Sequence, residues 1–271
     1  MIQFSPYQIK PGSTFRLSDV DPDDKTQFNV SKSEGKKLLP SLGARLVDLH
    51  RMLYAQGKHR VLIVVQTIDA GGKDGTIREV FSPLDPAHFH VASFKAPSSL
   101  ELSHDYLWRI HRELPRKGEI VVFNRSHYED IVAVRVRGIY PKTVWEKRYQ
   151  HLIDFERMLS DEGTLILKFF LCISKEEQLA RFRKRVDRPD KRWKFNPADL
   201  EDRARWDEFM QAYEDVINRT NSEFAPWFVI PANRKWHRNL VVADAVGNAL
   251  ESLGMHYPEP DFDPAQFADI E

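Results

Sequence analysis

Apolar positions along the chain come in short blocks separated by charged stretches of helical period. Leu38, Leu39, Leu42, Leu46, Leu49 and Leu53 recur at spacings of three and four. That predicts an amphipathic helix over 36–57, ending near Gly57. Val61–Gln66 (VLIVVQ) is a continuous β-branched run, as expected of a strand covered on both faces. A glycine-containing turn and a helix from about Gly72 follow. The alternation then repeats, with strands predicted at His90–Phe94, Glu119–Phe123, Leu165–Ile173 and Trp227–Ile230. Between and after them lie predicted helices at Ser103–Leu114, Trp145–Leu159, Lys175–Val186, Leu200–Thr220 and Arg238–Leu253. Such alternation implies right-handed crossovers and an α/β fold. The expected architecture is a three-layer α/β/α arrangement, with a five-stranded, mainly parallel sheet and helices on both faces. Residues 1–35 are polar and proline-bearing and read as an arm. Residues 36–257 read as one domain, and 258–271 as a loosely attached tail.

Composition narrows the function. The chain has 271 residues with forty Lys+Arg against forty Asp+Glu, so its formal charge is 0 and any polyanion must be held locally. Forty-two per cent apolar residues suffice for a sizeable core. The single cysteine, Cys172, excludes a disulfide framework and multi-cysteine metal sites, and its apolar surroundings make it a core thiol. No apolar run approaches the roughly 20 residues that span a bilayer. No signal peptide is visible either, so a soluble cytoplasmic protein is expected.

The candidate chemistry begins after the first predicted strand, where the chain reads Gln66-Thr67-Ile68-Asp69-Ala70-Gly71-Gly72-Lys73-Asp74-Gly75. The phosphate-loop pattern is G-x-x-x-x-G-K-[ST]. Gly72-Lys73 is in place, but Thr67 stands at the first glycine and Asp74 at the hydroxyl position. Gly71, Gly72 and Gly75 let backbone approach an anion, the helix start aims N–H groups at it, and Lys73 adds a positive charge. Asp69 is a carboxylate inside that loop, which suggests a Mg²⁺ ligand or a base. The bland alternative is a surface turn that starts a helix.

The third strand runs into Asn124-Arg125-Ser126-His127-Tyr128-Glu129-Asp130. The end of this strand is where a phosphate-loop enzyme usually presents an acid to its metal. Here Asn124 offers only a neutral oxygen, while Glu129 and Asp130 could supply the charge and Arg125 would face the anion. Ser126 and Glu129 also have the spacing of a helix capping box. His127 reads either as an acid–base group or as an ordinary hydrogen-bonded histidine. From Arg181 to Arg205 there are ten Lys/Arg and five Asp/Glu. Arg181 and Arg185 share a helix face. Lys191, Arg192 and Lys194 surround Trp193 between two prolines, as in a lid closing over phosphates. A solvated charged helix is the alternative for this run.

Taken in order, QTIDAGGKDG, FNRSHYED and RPDKRWKFNPADLEDRARWDEF resemble the family-2 polyphosphate kinases, most closely their class III branch. The likeness runs from about Pro11 to Pro258 and includes YQIKPG, LSHDYLWRIH and APWFVIPANRKW. It implies a P-loop kinase-like fold with a basic helical lid near 181–205. The implied reaction is transfer of a terminal phosphoryl group from inorganic polyphosphate to AMP or ADP, giving ADP and ATP, with Mg²⁺ (or Mn²⁺ in its place). By the same likeness Asp69, Lys73, Arg125 and Glu129 are catalytic. Ala70, Gly71, Gly72, Lys73, Asp74, Gly75, Asn124, Arg125, Arg181 and Arg185 bind phosphate or nucleotide, and Lys191, Arg192 and Lys194 hold polyphosphate. Asp69, Asn124 and Glu129 would face the metal, Glu129 compensating for the missing aspartate at 124. Homodimers or homotetramers are implied, and neither nucleic acid nor membrane as a partner. An ATP-dependent nucleoside monophosphate kinase and a non-catalytic polyanion-binding regulator are the competing readings.

Overall fold

The computed structural model describes residues 3–263. Its elements run α1 (Lys32–Gln56), β1 (Arg60–Gln66), α2 (Lys73–Phe81), β2 (Phe89–Ser93), α3 (Ser99–Leu102), α4 (Trp108–His111), β3 (Ile120–Asn124) and α5 (Glu129–Arg137). They continue with α6 (Lys142–Asp161), β4 (Thr164–Cys172), α7 (Lys175–Asp187), a 3₁₀ turn (Pro189–Lys194), α8 (Ala198–Ala204), α9 (Trp206–Thr220), β5 (Trp227–Pro231) and α10 (Lys235–Glu251). The five strands form one parallel sheet in the order β2-β3-β1-β4-β5. β1 lies at its centre, with Val61 paired to Ile120 on one side and Leu165 on the other. Val61 to Val65 are fully buried, which explains why this run carries no polar alternation. Helices α1, α2 and α10 pack together in one layer and α5, α6 and α9 in another.

The arm is tied down. Ile9 N donates to Trp227 O at 2.9 Å and Val229 N to Tyr7 O at 3.0 Å, so the arm covers the outer edge of β5. Helix α1 starts at Lys32, within the stretch assigned to the arm, because Ser31 and Glu34 form a capping box. Of the helix predicted over Ser103–Leu114 only the single turn α4 forms, and a second short helix, α3, ends before Ser103. A Ser98–Glu101 capping box starts α3 early, and the Asp105 side chain accepts from Leu107 N at 2.9 Å in a turn before α4. The helix predicted over Leu200–Thr220 breaks at Arg205 into α8 and α9. Residues 129–137, given no element from the pattern, form α5, closed by Gly138 at φ +68°. Of the tail predicted over 258–271, residues 264–271 lie outside the described residues.

Cys172 is buried in β4, and burial pushes its thiol up to about 12, so it is an inert core group. Among the described residues no helix is long and apolar enough to cross a membrane.

Candidate active site

The C-terminal ends of β1, β2 and β3 open into a cleft of about 2020 Å³, bounded by the phosphate loop, the start of α1, the first turn of α10 and the basic segment after α7. Fifteen Lys/Arg line it against five Asp/Glu, although the chain is neutral overall. The charge asymmetry is therefore local, and it suits a polyanion.

The loop between β1 and α2 is held by its carbonyls. Thr67 O accepts from Lys73 Nζ and Tyr213 OH, each at 3.3 Å, and Ile68 O accepts from Gly71 N at 3.0 Å. Asp69 O accepts from Gln178 Nε2 at 2.9 Å, and Arg181 Nη1 donates to Ala70 O at 3.0 Å and Gly71 O at 2.8 Å. Gly72 O accepts from Thr76 N at 3.0 Å and Thr76 Oγ1 at 3.1 Å. With every carbonyl from 67 to 72 engaged, the first-turn amides of Lys73, Asp74 and Gly75 remain without helical acceptors. That is the arrangement of an anion-binding helix start. Gly72 takes φ +105°, and Ala70 takes φ +60°, a strained value for a residue with a side chain.

Arg125 is the second such residue, at φ +63°, and its Nη2 lies 3.0 Å from Asp69 Oδ1. The loop and the end of β3 thus meet through this ion pair. Burial, then the charge of Arg125, pulls the Lys73 ammonium down, against Asp69, Glu129 and Asp74. Asn124 Nδ2 donates to Asp74 Oδ1 at 3.0 Å, and Lys194 Nζ lies 3.6 Å from Asp74 Oδ2, so Asp74 joins the β3 end and the basic segment after α7. Burial raises Asp74, but the Asn124 hydrogen bond and the charges of Lys194 and Lys73 outweigh it and hold the carboxyl low.

Several expected residues stand elsewhere than the pattern suggested. Glu129 does not line the cleft. The Gln66 amide, oriented to satisfy both its neighbours, donates to Glu129 Oε1 at 2.9 Å and accepts from Ser126 N at 3.1 Å. Burial pushes the Glu129 carboxyl up against the pull of Arg125 and Lys73. No capping box forms at Ser126, since α5 begins with Tyr128 at its N-cap position, without a side-chain cap, and the Glu129 side chain is committed to Gln66. Arg181 reaches the loop but has no free donor. Its five N–H groups go to Glu177 and to the carbonyls of Ala70, Gly71, Ala232 and Asn233. It clamps the loop and is not available to a phosphate. Arg192 turns away, donating to Val186 O at 2.8 Å, whereas Lys191, Lys194 and Arg185 line the cleft. His127 is fully buried beside Glu156, 3.3 Å away, in a core network with Lys168.

Two cleft residues were not singled out from the sequence. Asp199, in α8, lies 3.4 Å from Arg185 Nη1, and burial followed by the charge of Asp69 pushes its carboxyl up to about 6. Arg238, in α10, is 1% exposed and lies against Gly72. A charged residue on the buried face of an apolar helix was the available signal for Arg238. Asp199 had none beyond its place in a charged run.

Among the described residues no cluster of three or more His, Cys, Asp or Glu is poised to hold a metal. Mg²⁺ needs less, since it takes one or two carboxylates and completes its shell with waters and phosphate oxygens. The Asp69 carboxylate and the uncommitted Asn124 oxygen, both lining the cleft, are hard donors that fit such a partly built site.

Comparison with known proteins gives concordant results. The family model for polyphosphate kinase 2 matches residues 29–257. The chain is 53% identical over 255 residues to the AMP/ADP-polyphosphate phosphotransferase of Meiothermus ruber, covering 94% of this chain and 96% of the relative. It is 45% identical over 252 residues to the ADP-polyphosphate phosphotransferase of Rhodopseudomonas palustris, covering 89% and 86% respectively. Among solved structures, polyphosphate kinase 2 from Arthrobacter aurescens superposes with a TM-score of 0.93 at 40% identity, covering 97% of this chain and 94% of that one.

Proposed function

The chain belongs to the polyphosphate kinase 2 family, and from that premise we propose that it transfers the terminal phosphoryl group of inorganic polyphosphate to AMP and to ADP, forming ADP and ATP. The observation that carries this reading is the cleft, with fifteen cationic against five anionic side chains on a neutral protein, converging on a loop whose carbonyls are all turned into protein contacts.

The chemistry asks little of covalent groups. A phosphate oxygen of the acceptor forms a bond to the terminal phosphorus as the bridging P–O bond breaks, and the shortened polyphosphate leaves with that electron pair. The acceptor phosphate, with a second pKa of about 6, is largely ionised at pH 7, so no strong base is required. Alignment and charge neutralisation supply the rate. In this reading the amides at the start of α2 and the Lys73 ammonium hold the transferring phosphoryl group. Arg125, restrained by Asp69, faces the developing charge, and Arg185, Lys191 and Lys194 engage the polyanion. Asp69 and Asn124 are the residues that would hold Mg²⁺, which when bound offsets negative charge on the phosphates. Glu129 acts from behind Arg125 and Lys73 and sets the charge they present to the acceptor.

The test is luciferase-detected ATP formation from Mg²⁺, long-chain polyphosphate and either AMP or ADP, with Lys73→Ala as control. The expected result is ATP from both acceptors and none with the variant. No ATP from either acceptor overturns the proposal and turns attention to ATP as donor with a panel of monophosphates.

A further inference from the structure

Arg238 is the one buried cation at the loop that the described contacts leave incompletely paired. Its Nε and Nη2 both donate to Asn239 Oδ1, at 3.1 and 2.8 Å, while Nη1 is buried with no acceptor. It takes none of the loop carbonyls from 67 to 72, each of which already accepts from another donor. The guanidinium nevertheless lies tight against the loop. A Cβ on Gly72 would stand 2.2 Å from its Nη1, and one on Gly75 would stand 3.7 Å from its Nη2. Burial, then the neighbouring charge of Arg181, pulls the group down to about 9. Asn239 is neutral, so the positive charge is solvated by an amide and offset by no contacting carboxylate. A buried donor without a partner is costly, and native structures rarely keep one unless something else satisfies it.

We propose that Arg238 is a positioning residue that keeps an uncompensated positive charge beneath the phosphate loop, a cost of the free protein which a bound phosphate chain relieves. The inference rests on the phosphoryl-transfer reading and names a further residue for it. It also accounts for Gly72, since any side chain there would collide with the guanidinium and lift it from the loop.

Asn239→Asp tests this with little change of shape, because it places a carboxylate where Arg238 already donates twice. Thermal unfolding of the free protein and titration with tripolyphosphate in Mg²⁺ would be measured together. The expected result is a pair of opposite shifts, in which the free variant melts higher than wild type while its tripolyphosphate Kd weakens by about tenfold or more, the scale of one charge-assisted contact. Arg238→Lys, which retains the charge, should bind tripolyphosphate within about threefold of wild type. A free variant that melts no higher, or an unchanged Kd in Asn239→Asp, overturns the inference and leaves Arg238 as packing. Wild-type protein that binds no tripolyphosphate overturns the proposed function as well, so the two failures are distinguishable.

Discussion

Asp199 makes stability depend on pH in a direction that can be worked out in advance. Its carboxyl is raised from 3.8 to about 6 by burial and by Asp69, and its side chain is 16% exposed. The folded-state pKa exceeds the unfolded value, so the fold favours the neutral acid. The associated stability is fully present below about pH 4 and is lost as pH rises through 6. A shift of about 2 units corresponds to about 3 kcal/mol at 1.36 kcal/mol per unit, and solvent around a lid helix trims this to about 2 kcal/mol. Asp199→Asn is neutral at every pH and escapes the loss. Melting of wild type and variant should coincide near pH 4 apart from a constant offset. By pH 7.5 the variant should have gained about 4 °C on wild type, at about 2 °C per kcal/mol for a chain of this size. Calorimetry in matched buffers from pH 4 to 8 reads the divergence. Parallel curves would remove Asp199 from the titrating groups. A variant that falls behind as pH rises would show that the Arg185 ion pair outweighs burial and Asp69, and would overturn the sign.

Other outcomes follow from the same geometry. Asp69→Asn releases Arg125 from its carboxylate partner and should lower turnover at least about a hundredfold with melting little changed; near-wild-type turnover would refute its role. Replacing Lys191 and Lys194 with Ala should raise the polyphosphate KM and flatten its dependence on salt, whereas Arg192→Ala should leave both as in wild type, because Arg192 faces the lid backbone; steady-state kinetics at two ionic strengths checks this. Glu129→Asn should shift the ratio of AMP to ADP turnover, since it removes a negative charge behind Arg125 and Lys73; an unaltered ratio would detach Glu129 from acceptor choice.

The inner strands were legible because β1, β3, β4 and β5 are buried along almost their whole length and read as apolar runs, whereas the edge strand β2 is mostly exposed. Val61–Gln66 and Leu165–Ile173 fall within a residue of β1 and β4. The helices that were misread or missed have two causes. Between Ser98 and Leu114, side-chain caps at Ser98 and Asp105 decide where the chain turns, and a hydrophobic period does not register them. In α5 the run Ile131-Val132-Ala133-Val134 has strand-forming composition. Packing of α5 against α6 and α9 overrides that preference, and Gly138 closes the helix.

The two departures from the phosphate-loop pattern turn out to be reciprocal with their neighbours. At the first glycine position Thr67 donates its hydroxyl to Leu171 O at 2.6 Å, and this fills the space above Gly71, where an added Cβ would lie 1.8 Å from Thr67 Oγ1. The bulk gained at 67 is therefore matched by the absence of any side chain at 71, and the loop keeps its course. At the hydroxyl position Asp74 turns to Asn124 and Lys194. An aspartate at 124 would set two carboxylates about the 3.0 Å apart that the amide and Asp74 now occupy, and one of them would have to stay protonated. Asn124 is thus the partner that Asp74 requires, which is why neither substitution could be interpreted alone from the chain. At 67 the matching residue is Gly71, four positions on, while at 74 the partners Asn124 and Lys194 lie far off in sequence. A linear motif records the two departures, and only the folded site records the contacts that answer them.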